Sequence, residues 1–342
     1  MKVAVIGLGA IGGLVAGYLK AKGAEVVPVG RLEQKKEVER HGLEIEGVRG
    51  RSLVYLDVKT RLEEKVDLAV LTVKTQDIRD AVDKSRDFLV NGPLVLSTQN
   101  GVRADKLLSM MLGAEKLMAS IVMFGATYIP YHRVVHNFEG KWLVGRPFGP
   151  NDDAVAQVVD ILKVAFEAVP VENIGGMKWT KVFVNASNCI PAVLGKSMQE
   201  TYSDLTMCTW ALKILKEGFD VVDQLKIELL DMPDFEVKKL KGLCALPLEQ
   251  ATPIYSGIMT RLSEQPLYGS ILQSIQRGRP SEIDFINGEL ANQAKTHNID
   301  ARLNTRVTEL VHKVEETKRF MAPEEFSQDM ERCTQIKRED FF

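Results

Sequence analysis

The chain has 342 residues, more than one ordinary core holds, which suits two domains. Hydrophobic residues make up 45% and charged residues 26%, the balance of a soluble globular protein, and a net charge of -2 gives no reason to expect a nucleic-acid partner. No run reaches the ~18 apolar residues that span a bilayer, and four cysteines without a C-x-x-C pair suit a reducing compartment, so the expectation is a cytoplasmic protein with no membrane partner.

The apolar, glycine-rich start reads as a strand and a turn into a helix rather than as a signal peptide. Lys2 to Ile6 is the first predicted strand, and helical character follows to about Lys22. Further strands are predicted at Glu25 to Val29, more weakly at Val54 to Val58, then at Asp67 to Val73, Pro93 to Ser97 and Leu117 to Phe124. Strands alternating with helices imply an α/β domain with a parallel sheet. His132 and His136 lie four apart, but their neighbours are β-branched and no third ligand is evident, so no metal site is expected. From about Gly176 the texture changes to helical spacing, at Trp179 to Leu194, Leu205 to Leu225, Glu282 to Thr296 and Thr305 to Glu316. The predicted division is 1–174 for the nucleotide-binding domain and 175–342 for an all-helical domain, with 319–342 a surface helix or loose tail.

Gly7-Leu8-Gly9-Ala10-Ile11-Gly12 follows the first strand and opens the helix. Gly7 permits the tight turn, Gly9 lets a pyrophosphate approach the backbone, and Gly12 lets helix and strand pack closely. The second strand ends at Gly30, where NAD-selective enzymes usually place an acid, and Arg31 follows. A guanidinium suits a 2′-phosphate, which favours NADPH over NADH, although Arg31 also reads as a solvated loop residue. Lys74 and Asn100 follow two other strands, where open α/β sheets bind ligands. Each also reads as a turn or cap residue.

In the helical half, Lys181, Asn185 and Asn188 are spaced i, i+4, i+7 and would share one helix face. A polar stripe within an apolar segment is costly unless it has partners. Lys178 reads as solvated charge, and Glu282 alone reads as a helix-start residue beside a Ser281 cap.

Taken together, GLGAIG, Arg31, VKT at Lys74, QNG at Asn100, the W-x-K-x-x-x-N block at Trp179 to Asn185 and the SEIDFING block at Glu282 resemble the ketopantoate reductases, in order and in spacing, up to about residue 318. The resemblance implies a Rossmann-type dinucleotide-binding domain followed by a helical domain. It implies NADPH-dependent reduction of a small 2-oxo acid, with 2-dehydropantoate giving (R)-pantoate as the family's reaction in pantothenate biosynthesis. It implies that Lys181 is the catalytic lysine, with Glu282 orienting the lysine or the substrate. Asn185 and Ser270 match residues that contact substrate, Asn188 lies close to another, and Lys74 and Asn100 match residues near the cofactor. It leaves a homodimer open.

The departures fall on the substrate side. Cys189 stands where the family often has a second asparagine, Leu267 where it has another, and Ser274 where an acid is frequent. The stretch from Leu229 to Gly269 is longer than in compact members. Two apolar replacements suggest a site that accepts a plain branched or longer apolar tail at least as well as ketopantoate. Other readings are a paralogous reductase, an opine-type dehydrogenase, or an NADPH-binding regulator without turnover.

Overall fold

Short runs of fully buried Val, Ile, Leu and Ala build the first half. In the computed structural model, which describes residues 1–335, the elements in chain order are β1 (Lys2–Ile6), α1 (Ala10–Ala21), β2 (Glu25–Val29), α2 (Leu32–His41), β3 (Leu43–Gly47), β4 (Ser52–Val54), β5 (Leu68–Leu71), α3 (Ile78–Lys84), α4 (Arg86–Leu89), β6 (Leu94–Ser97), α5 (Arg103–Leu112), β7 (Leu117–Val122), β8 (Gly125–Ile129), β9 (Arg133–Phe138), β10 (Trp142–Gly145), α6 (Asp153–Lys163) and β11 (Ala168–Pro170). Helices follow: α7 (Ile174–Ala186), α8 (Cys189–Leu194), α9 (Met198–Tyr202), α10 (Leu205–Gln224), α11 (Val237–Ala245), α12 (Leu248–Met259), α13 (Ser270–Gln276), α14 (Asn287–Thr296), α15 (Arg302–Thr317) and α16 (Pro323–Gln335). The chain divides into two compact units between Gly175 and Gly176. Among the described residues no helix is long and apolar enough to cross a membrane.

The first unit holds a seven-stranded sheet of order β11-β10-β7-β6-β5-β1-β2. The five strands from β2 to β7 run parallel, as expected, and β10 is antiparallel to β7. The parallel register puts the carboxyl ends of β2, β1, β5 and β6 on one edge of the sheet.

A second, four-stranded sheet of order β4-β3-β9-β8 was not expected from sequence. The predicted strand at Val54 to Val58 is corrected here. Pairing covers Ser52–Val54, and Leu56 and Val58 are buried without strand structure. Apolar character marks burial there, not a ladder. His136 lies within β9, buried, and its Nδ1 is 3.1 Å from the Tyr18 hydroxyl.

The second unit is built around the twenty-residue α10, against which α11, α12, α14 and α15 pack. The long stretch from Leu229 to Gly269 thus contributes α11 and α12 to the core. The predicted tail is a docked helix over Pro323–Gln335, with Phe326, Met330 and Cys333 buried at i, i+4, i+7. Residues 336–342 lie outside the described residues.

Two predicted helices are broken in two, and both breaks matter to the site. The expected Trp179 to Leu194 helix stops at Ala186 and restarts at Cys189. Pro191 has no N–H to offer the Ser187 carbonyl four residues back. The Tyr202 hydroxyl donates to that carbonyl instead, and the Tyr255 hydroxyl donates to Ser187 Oγ at 2.6 Å. Asn188 therefore sits in the turn and not on the helix face of Lys181 and Asn185. Similarly, the expected Glu282 to Thr296 helix is a 3-10 turn over Ile283–Phe285 followed by α14, with Glu282 just ahead of the turn.

Replacing Tyr202 with Phe removes the side-chain hydroxyl that donates to the Ser187 carbonyl. A buried acceptor left unpaired costs about 1–3 kcal/mol. Tyr202→Phe is expected to lower unfolding stability by that amount in urea titration, while a Phe at Tyr128, whose hydroxyl bonds elsewhere, leaves this break intact.

Candidate functional site

The glycine turn is shaped partly by the protein and partly by what the protein leaves open. Gly7 has φ +110°, and a Cβ there would lie 2.8 Å from the Val73 nitrogen. A Cβ on Gly12 would lie 1.8 Å from the Gly7 carbonyl oxygen. Neither position admits a side chain. Gly9 differs: a Cβ there would meet nothing within 4 Å. The space in front of it is what a phosphate needs.

Behind that space begins α1, whose N-cap Gly9 offers no side-chain cap and whose first turn holds no acid. The first-turn N–H groups of a helix, here those of Ala10, Ile11 and Gly12, have no intrahelical acceptor and favour an anion. A dinucleotide's pyrophosphate fits this cradle in size and in charge.

Two residues that the sequence reading passed over hold the turn. The Thr72 hydroxyl donates to the Gly7 carbonyl at 2.6 Å and also lies 3.1 Å from that of Ile6. Gln34 is buried on α2, with Nε2 donating to the Leu8 carbonyl at 2.5 Å and to the Tyr128 hydroxyl at 2.8 Å, while Oε1 accepts from the Arg31 N–H at 3.0 Å. A Gln three residues into a helix commonly reaches back to the N-cap N–H. That half of its role was legible; the link to the glycine turn was not.

Arg31, Lys74 and Asn100 follow β2, β5 and β6, on the same sheet edge as the glycine turn. The Arg31 guanidinium lies 4.0 Å from Asp77, just beyond Lys74, and more than half of its side chain is exposed. Gln99, beside Asn100, donates to the Leu71 and Val73 carbonyls at 2.8 Å each and so ties the ends of β5 and β6 together.

In the helical unit, Lys178 is buried and Lys181 half-buried on α7. Burial pushes the Lys181 ammonium down to about 8, the nearby Lys178 charge adds to the drop, and Glu282 opposes it. The structure thus brings Lys181 and Glu282 within electrostatic reach across about a hundred residues, and adds Lys178, which the sequence left as solvated charge. Asn185 lies one turn beyond Lys181. Asn188 lies against the chain entering α13: a Cβ on Gly269 would be 2.9 Å from the Asn188 side-chain carbon. Ser270, the first residue of α13, is exposed.

Cys189 is fully buried in the helical core, and Leu267 packs against the same core. Cys189 thus packs within its own unit, while Leu267 is only partly buried there.

An α/β unit with a glycine turn, joined to a helical unit that carries a lysine and a glutamate, is the architecture of two-domain oxidoreductases. Residues 3–147 match the family model described as ketopantoate reductase PanE/ApbA, and residues 173–315 match its C-terminal model. The 2-dehydropantoate 2-reductase of Pyrococcus horikoshii is 31% identical over 318 residues, covering 91% of this chain and 96% of that protein. That of Archaeoglobus fulgidus is 28% identical over 317 residues, covering 92% and 98%. Among solved structures, D-mandelate dehydrogenase with NADH and anilino(oxo)acetate aligns with a TM-score of 0.80 at 22% identity, covering 93% of this chain and 99% of that one. A PanE/ApbA family ketopantoate reductase from Ralstonia eutropha aligns with a TM-score of 0.77 at 23% identity, over the same shares. The chain belongs to the ketopantoate reductase family.

Gln34→Leu strands the buried Leu8 carbonyl and leaves the partly buried Arg31 N–H without its partner. The expected outcome is a stability loss of about 1–3 kcal/mol in denaturant titration. An unchanged midpoint would show that the glycine turn does not depend on Gln34.

Proposed function

We propose that this chain reduces a small 2-oxo acid to the 2-hydroxy acid with NADPH, its reaction being 2-dehydropantoate to (R)-pantoate in pantothenate biosynthesis. What carries this reading is Lys181, half-buried on α7 with Lys178 and Glu282 near it; burial and Lys178 lower its pKa to about 8, where it is protonated yet ready to give up a proton near neutral pH. The family membership and the relatives' names support the same reaction.

When bound, the nicotinamide supplies the hydride that adds to the carbonyl carbon. The chain's own residues manage the oxygen. Lys181 stabilises the charge that develops there and then passes its Nζ proton to it. Glu282 holds the ammonium in its charged form and orients it. Asn185, Asn188 and Ser270 donate and accept hydrogen bonds to the substrate's carboxylate and hydroxyl groups. Gly7, Gly9, Ala10, Ile11 and Gly12 cradle the pyrophosphate, and Lys74 and Asn100 face the cofactor. Hydroxyl recognition would rest on the amides that remain, Asn185 and Asn188, since Cys189 is buried in the core.

Arg31 is the residue we assign to the 2′-phosphate. Its 4.0 Å approach to Asp77 is too long for a hydrogen bond. An exposed pair of that kind is worth little, so turning the guanidinium to a phosphate costs little.

The test is NADPH consumption with ketopantoate beside 2-oxoisovalerate and other 2-oxo acids. Lys181→Ala is expected to lower kcat about 100-fold or more with little change in cofactor affinity. In the wild type, reduction should fall as pH rises through about 8, because the acid is the protonated lysine. A flat profile across that range, or near-normal turnover by Lys181→Ala, would remove Lys181 from this role.

For the cofactor, Arg31→Ala is expected to weaken NADPH binding by about 1.5–3 kcal/mol, the worth of charge-assisted hydrogen bonds. NADH binding should hardly move. Equal losses for both would mean that Arg31 does not read the phosphate.

A further inference from the structure

We propose that His312 is a positioning residue for Glu282: it bridges Asp284 and Glu315 and thereby fixes both ends of the short turn that carries Glu282. The inference deepens the function proposed above and rests on Glu282 acting beside Lys181.

The clamp is read directly from distances. His312 lies on α15. Its Nε2 is 2.9 Å from Asp284 Oδ1, and its Nδ1 is 3.0 Å from Glu315 Oε2. The other Glu315 oxygen, Oε1, accepts the backbone N–H of Ser281 at 2.6 Å. Ser281 Oγ in turn accepts from the Ile283 N–H at 3.3 Å. Ser281 and Asp284 flank Glu282 on either side, so one histidine and one glutamate of α15 hold the residue before it and the residue two after it.

A neutral imidazole has one N–H and could donate to only one of two carboxylates; an imidazolium donates to both. The charged groups facing the ring are Asp284 and Glu315, and they push its pKa up to about 10. Burial disfavours the Glu315 carboxylate, but His312 and Ser281 outweigh it and hold its pKa below the ordinary range. The two legs are unequal. Asp284 is half exposed and screened, while Glu315 is only 13% exposed, so the Glu315 leg bears more of the load. Because the folded-state pKa of His312 is raised to about 10, the clamp stays protonated well above the ordinary histidine range, while the stability it contributes is full below that range and is lost as pH rises through about 10.

A merely structural ion pair would affect stability and nothing else. A clamp on Glu282 has a second consequence. Glu282 raises the Lys181 pKa against burial and Lys178. If the turn slackens, that support weakens and the Lys181 pKa falls.

The experiment measures the Lys181 pKa in cofactor-free protein, from the pH dependence of its acetylation by acetic anhydride, read by peptide mass spectrometry. Wild type is compared with His312→Leu and His312→Gln. The expected result is a fall of roughly half a unit or more in His312→Leu, with a smaller fall in His312→Gln, which keeps one donor. The basic limb of the kcat profile should move to lower pH by the same step, with an unchanged KM for the cofactor. An unchanged Lys181 pKa in a folded variant overturns the proposal, and His312→Gln decides it if His312→Leu does not fold. Failure of the wild type to reduce any 2-oxo acid would overturn the proposed function instead, and the acetylation comparison would still decide the clamp.

Discussion

An ammonium withdrawn from water must find an opposite charge or loosen its proton, and Lys181 is arranged to do some of each. Burial and Lys178 push its pKa down, while Glu282 supports the charged form. Too little support would leave a neutral amine unable to protonate an alkoxide. Too much would hold the proton too tightly to give. The value near 8 is a balance between three groups, two of them on one helix and the third brought in by a distant turn. α10 packs against α7, with Phe219 stacked on Phe183, and α15 bonds Ser281 and Asp284 on either side of Glu282.

The glycine turn obeys a different constraint. Gly7 and Gly12 are required by atoms that are present, Val73 and the turn's own carbonyl. Around Gly9 no atom of the described residues comes within 4 Å of an added Cβ, so its side of the turn is left open, as an approaching phosphate would need. A motif read as three equivalent glycines separates into two that build the turn and one that keeps its mouth open. Thr72 and Gln34 then hold the turn by its carbonyls, leaving the N–H groups of α1 for an anion.

How much of this was legible depended on how far each partner lay along the chain. β1, β2, β5, β6 and β7 are apolar runs, and their character alone gave them away. β3 and β9 bury alternate residues and carry Glu, Arg and His between them, so the second sheet left no such run. The α7–α8 break was partly written in Pro191, but its acceptor is satisfied by Tyr202, fifteen residues away. Lys181 and Glu282 were found by resemblance to a family, because neither spacing nor periodicity joins residues a hundred positions apart. His312 and Glu315 were invisible for the same reason: their meaning lies in the turn they grip. Leu267 and Cys189 were visible as departures, but type alone does not say whether an apolar side chain faces a ligand or a core.

The two halves therefore respond differently to change. The phosphate cradle proposed in the first unit is made of backbone N–H groups, which have no pKa near neutrality, while Ala10 and Ile11 pack against that unit's core and the glycines shape the turn. The proton transfer we propose in the second unit belongs to Lys181, whose charge state answers to burial, Lys178 and Glu282, so that there a single charge would change the chemistry without changing the shape. Sensitivity to pH should thus reside in the helical unit and sensitivity to side-chain volume in the glycine turn. A substitution that alters charge at constant volume and one that alters volume at constant charge probe separate functions of the same chain, because one half positions its ligand with geometry and the other with ionisation.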